Sequence, residues 1–97
     1  MRVYEKTVAF DWDKGNTHKN RLKHGITPEE SESVFLDSDA LVIPDIRHSK
    51  TEKRFILVGT SEKDRYIFIV FTIRNEKIRI ISSRRMHRKE KETYEKT

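Results

Sequence analysis

Three apolar runs follow one another closely in the second half of this 97-residue chain: Phe55 to Val58, Tyr66 to Thr72 and Ile78 to Ile81. The links between them, Gly59 to Asp64 and Arg74 to Lys77, are too short for a parallel crossover, which needs about a dozen residues, so the runs predict an antiparallel meander. The middle run, Tyr66-Ile67-Phe68-Ile69-Val70-Phe71, is apolar at both parities, whereas a strand with one wet face alternates. It is therefore expected at the centre of the sheet with both faces covered.

The elements around the meander are short. Val8 to Trp12 reads as a strand, and Asp13 caps a helix expected from Lys14 to His24, stopped by Gly25 at the left-handed C′ position. Thr27-Pro28-Glu29-Glu30 starts a second helix, with threonine at N-cap, proline at N1 and Glu30 closing a capping box. That helix buries Val34, Phe35 and Leu36 and is expected to end near Asp37-Ser38-Asp39. Leu41 to Ile43 gives a further strand, stopped by Pro44, and the polar stretch Asp45 to Glu52 a surface loop. Met86 to Lys96 is helical by propensity but offers only Met86 and Tyr94 for burial, so it docks weakly and can be displaced or shared. With 34% apolar and 38% charged residues the core must be thin. The expected fold is α+β: one domain over residues 1–97, a small antiparallel sheet packed with two N-terminal helices and a C-terminal helix.

Lysine and arginine number 21 against 16 acids, a net charge of +5, which favours a polyanionic partner, nucleic acid first. The alternative is the mild basicity of many small proteins that bind nothing anionic. The absence of cysteine excludes disulfides and thiolate metal sites and fits a reducing cytosol. Tyr66 to Ile73 is too short to span a bilayer, and Met1 to Lys6 shows no signal-peptide core, so a cytoplasmic location without membrane contact is expected. There is no phosphate-cradling glycine loop or serine elbow, and His18, His24, His48 and His87 form no H-x-x-x-H pair. A mechanism without metal or cofactor is the expectation.

Arginine lies at the edges of the predicted sheet: Arg54 entering one strand, Arg74 leaving the next, Arg79 and Arg84 within and after the last. Guanidinium groups converging on one phosphate would stabilise the extra charge of a pentacoordinate phosphorane. The alternative is that they are solvated or paired with Glu52, Glu62 and Glu76. His24, at a helix C-terminus that raises its pKa, suits a general acid or base, or else simply caps the helix. Asn16 and Asn20 share its helix face. Trp12 offers a ring for base stacking, or a core side chain. The run Arg84, Arg85, Arg88, Lys89, Lys91 reads as an RNA rail or a solvated helix face. Trp12, Asn20, Lys23 and Arg85 are the candidate RNA contacts.

Phe10-Asp11-Trp12-Asp13, Asn20, Lys23-His24-Gly25, Glu29-Glu30 with Val34-Phe35-Leu36-Asp37, Arg54 with Phe55 and Gly59, Thr72-Ile73-Arg74 and Arg79-Ile80-Ile81-Ser82-Ser83-Arg84, in this order, resemble the BrnT toxins. The resemblance implies a RelE-like fold and a ribonuclease that arrests translation. It also implies neutralisation by a BrnA-type antitoxin with a ribbon-helix-helix domain, through which the complex binds operator DNA. Carried over by position, the site would use His24, Arg54, Arg74, Arg79 and Arg84 on an RNA substrate. The chain departs from many relatives at Asn16, where they carry lysine, at Lys53, where they carry glutamate, and at Ser83, where they carry alanine. A rival reading is a non-catalytic RNA-binding or corepressor module acting only with its antitoxin.

Overall fold

The computed structural model describes residues 9–17, 25–48 and 51–96. Helix α1 (Pro28–Val34) leads to β1 (Leu41–Pro44), a 3-10 turn (Ile46–His48), β2 (Arg54–Thr60), β3 (Tyr66–Arg74), β4 (Lys77–Arg85) and helix α2 (Arg88–Glu95). The strands form one antiparallel sheet in the order β1-β2-β3-β4. The meander and the central place of Tyr66 to Phe71 are as the sequence predicts. The strands run further than their apolar runs, because ladder bonds continue through polar Ser82, Ser83, Arg84 and Arg85.

One sheet face carries the core. Leu57, Ile67, Ile69, Phe71, Ile78 and Ile80 are buried there against Ile26, Val34 and Phe35. Phe35 sits edge-on between Phe10 and Phe71, at 5.3 and 5.2 Å. Such edge contacts add to simple area burial. The Ser31 and Ser83 hydroxyls, both buried, bond to each other at 2.8 Å and tie α1 to β4.

Several local expectations change. Of the strand expected from Val8 to Trp12, the described residues, from Ala9 on, form a single parallel bridge, Phe10 to Ile78, held by Asp11 N–H to Ile78 O and Ile78 N–H to Ala9 O. The ladder stops because the Asn16 side-chain amide donates to Ile80 O at 2.9 Å, taking the place of a strand N–H. Asp13 does cap the helical residues 14–17, accepting from Gly15 N–H. The remainder of that helix up to His24 lies outside the described residues, and Gly25 has the expected positive φ of 66°. Helix α1 ends at Val34 rather than near Asp37, because Asp37 turns its carboxylate to the N–H groups of Thr60 and Asp39, and Leu36 is left exposed. The loop after Pro44 includes the 3-10 turn.

The capping box is only half made. Thr27 Oγ1 accepts from Glu30 N–H at 3.1 Å, but the Glu30 side chain does not return to the cap. It is fully buried and takes bonds from Ser61 Oγ and Arg65 Nε at 2.7 Å each, with a second bond from Arg65 Nη2. Two N–H donors and a hydroxyl outbid one exposed backbone N–H for a carboxylate. The pair bolts α1 to the β2–β3 turn, and the Arg65 guanidinium holds the Glu30 carboxyl below its usual range.

Glu30→Gln should cost about 2 kcal/mol in urea unfolding, less than a fully buried pair because the Arg65 side chain is 25% exposed. Because the folded pKa of Glu30 is lowered, its contribution is present above the unfolded value and is lost as pH falls through the folded one. The parent should therefore lose stability more steeply than Glu30→Gln as pH drops below the ordinary carboxylate range. At Gly59 an added Cβ would lie 2.9 Å from Asp37 Oδ2, 3.0 Å from Val34 and 3.1 Å from Ala40. Gly59→Ala should destabilise by about 1–3 kcal/mol, measured the same way.

Candidate functional site

The sheet face opposite α1 carries the cations. In antiparallel pairs, directly opposed residues share a face. Arg54 opposes Thr72 and Thr72 opposes Arg79, so Arg54 and Arg79 flank buried Thr72 in one row across three strands. Two interstrand spacings put their Cα atoms about 10 Å apart. Arg74 follows Thr72 by two residues on β3 and shares this face. Arg84 opposes Phe68, four residues from Thr72 and thus again on this face, about 13 Å along the strand.

Arg79 and Arg84 are five apart, a spacing that places side chains on opposite faces of a regular strand. A bulge reconciles them. Val70 opposes Ser82 whereas Phe71 opposes Ile80, so Ile81 is the extra residue and the alternation of β4 resets. The same reset sends Arg85, opposite Ile67, to the core side of the sheet, where it is exposed at the strand end. Arg84 belongs to β4 itself and does not follow it.

Each of three arginines meets a carboxylate. Asp13 binds Arg79 as a fork, Nη1 to Oδ2 at 2.9 Å and Nη2 to Oδ1 at 3.1 Å, with Asp11 at 3.6 Å from Nη1. Glu90 binds Arg84 as a fork at 2.8 and 2.8 Å, over a Phe68 ring 3.9 Å from the guanidinium carbon. Glu52 takes Arg74 at 3.0 Å in a pair exposed on both sides. Hydrogen bonding from Arg79 lowers the Asp13 pKa, and bonding from Arg84 lowers that of Glu90, so both stay ionised. Exposed pairs of this kind are worth about 0–1 kcal/mol, less than a charge-assisted fork on phosphate in a partly dry site.

Of the sequence candidates, Arg54, Arg74, Arg79 and Arg84 come together on one face. His24, Asn20 and Lys23 lie outside the described residues. Trp12 is half-buried against the core and donates its indole N–H to Glu32 at 2.7 Å. Asn16, grouped in the sequence reading with the polar helix face, is instead buried and bonded to Asp11 O, Ile80 O and Asp13 N–H. The basic run is no single rail: Arg84 and Arg85 point to opposite faces, Arg88 pairs with Glu92, and Lys91 sits over Tyr66. The arginines pair with Glu52, Asp13 and Glu90, and among the described residues neither Glu62 nor Glu76 joins these pairs. Asp13 and Glu90 were missed because their partners lie 66 residues away and across a strand-to-helix junction, where no periodic spacing signals contact.

Helix α2 covers the far end of this face without burying any residue of its own. Tyr94 holds it, donating to Asp37 at 2.9 Å and meeting Tyr66 edge-on. Beneath lies a cavity of about 250 Å³ lined by Leu41, Ile43, Ile56, Val58 and Phe68 from the sheet. Among the described residues no three His, Cys, Asp or Glu side chains cluster to hold a metal, and no helix is long and apolar enough to cross a membrane.

Fold and face together define a small α+β protein with an arginine-bearing sheet face. Residues 12–90 match the family described as ribonuclease toxin, BrnT, of type II toxin-antitoxin system, and the chain belongs to that family. No curated protein matches it. Family membership makes RNA the substrate and an antitoxin the partner.

Tyr94→Phe should release α2 first. Loss of one hydrogen bond worth about 1 kcal/mol predicts roughly fivefold faster amide exchange over Arg88–Glu95, with little change in the β3 amides.

Proposed function

We propose that this chain is a metal-independent endoribonuclease of RelE-like fold, folding as one domain and cutting RNA on the arginine-bearing sheet face. The observation that carries the reading is that Arg54, Arg74, Arg79 and Arg84 share that face, with Arg54 and Arg79 in one row about Thr72, through the register of β3 and the bulge at Ile81. RNA carries its own nucleophile. The ribose 2′-oxygen attacks the adjacent phosphorus, the bond to the 5′-oxygen breaks, and a 2′,3′-cyclic phosphate remains. His24 takes the 2′-hydroxyl proton and returns a proton to the leaving 5′-oxygen. The arginines hold the phosphate and stabilise the charge that builds on its oxygens.

In the cell the cut transcripts would stop translation. The antitoxin is a BrnA-like ribbon-helix-helix protein through which the pair binds operator DNA, a reading supported by the family match and the ordered motifs.

Purified chain incubated with total RNA in excess EDTA should cleave it. An Arg54→Ala, Arg79→Ala double variant should be at least ~100-fold slower while still binding the antitoxin. Loss of cleavage on adding EDTA, or equal cleavage of DNA, contradicts the proposal.

A further inference from the structure

Arg79 is held differently from its neighbours. Asp13 takes one N–H from each terminal nitrogen, at 2.9 and 3.1 Å, so the end of the guanidinium is fixed. That leaves the side edge, Nε–H beside the second Nη2 proton, as the remaining pair of parallel donors. No hydrogen bond among the described residues uses that Nε, and only 15% of the side chain is exposed. Asp13 in turn has little freedom. Its Oδ1 accepts from Gly15 N–H at 2.8 Å, and its own N–H donates to Asn16 Oδ1 at 2.8 Å. Asn16, 2% exposed, is pinned by its amide to Asp11 O and to Ile80 O, the carbonyl next along β4 from Arg79.

Gly15 completes the arrangement. A Cβ there would stand 3.1 Å from Asp13 Oδ1 and 3.4 Å from Arg79 Nη2, pressing on the fork itself. The position is helical and its φ is not positive, so backbone conformation gives no reason for glycine. In a helix alanine is the better residue. Glycine here serves the fork at the expense of the helix.

We propose that Asp13 is a positioning residue for Arg79, and that Asn16 and Gly15 hold and clear the space for the pair so that the Nε edge of Arg79 stands preset for a phosphate oxygen pair. The assignment rests on the ribonuclease reading of this face and deepens it. Asp13 touches no substrate; it removes the freedom of a long side chain before RNA arrives. A carboxylate that merely competed with phosphate would act in the opposite direction, since its removal would tighten RNA binding.

The test is kcat and KM for cleavage of a labelled RNA by the parent, Asp13→Asn, Gly15→Ala, Arg79→Ala and the Asp13→Asn, Arg79→Ala pair, with Tm for each. Asp13→Asn should lower kcat about tenfold with KM within twofold. In the Arg79→Ala background the same change should have no further effect on kcat. Gly15→Ala should keep or raise Tm while lowering kcat several-fold, a combination that loss of folding cannot produce. The proposal is overturned if Asp13→Asn lowers KM and leaves kcat intact, if its effect persists undiminished without Arg79, or if Gly15→Ala leaves kcat at the parent value. An inactive parent would instead remove the ribonuclease reading, a separate outcome.

Discussion

The register of β3 against its two neighbours is the constraint on which the rest of the molecule depends. Ile67, Ile69 and Phe71 face the core and Phe68, Thr72 and Arg74 the opposite side. A slip of one residue against either neighbour would exchange the core side chains for the cations. The thin core and the arginine face are therefore specified by the same hydrogen bonds. The bulge at Ile81 is the one register shift among these pairings, and without it Arg84 would turn to the face packed against α1.

Charge is distributed to match. The buried Glu30–Arg65 pair and the Asp37 cluster fasten α1, the turns and α2, and these groups lie away from the cationic row. On the open face the carboxylates are more accessible and their pairs individually weak. Arg79 combines both characters, since its partner Asp13 is exposed but rigidly tethered. Helix α2 buries no residue of its own and is held at its rim, by Tyr94 on Asp37 and by the Glu90 fork on Arg84.

The sheet was legible because its apolar runs and short links admit few alternatives, and Tyr66 to Phe71 announced its own central place. The Thr27 cap and the left-handed Gly25 were legible for the same local reasons. What escaped were contacts made by side chains distant in sequence. Glu30 had the spacing of a capping box and took a better offer from Arg65. Asn16 was grouped with Asn20 and His24 on a polar helix face, and its amide instead takes the place of a strand N–H at Ile80 O. The shared face of Arg79 and Arg84 contradicts simple alternation and follows only from the bulge. The four arginines were nameable from their positions near strand ends, while the carboxylates that orient them were not.

In the proposed reaction the attacking oxygen belongs to the RNA. The most direct measurement is mass analysis of the fragments cut in EDTA from an RNA oligonucleotide, beside the same oligonucleotide with a single 2′-deoxyribose at the cleaved position. Attack by the 2′-oxygen leaves a 2′,3′-cyclic phosphate on the upstream fragment and allows no cutting at the deoxy position. A 3′-hydroxyl product, or undiminished cleavage beside the deoxyribose, would contradict it.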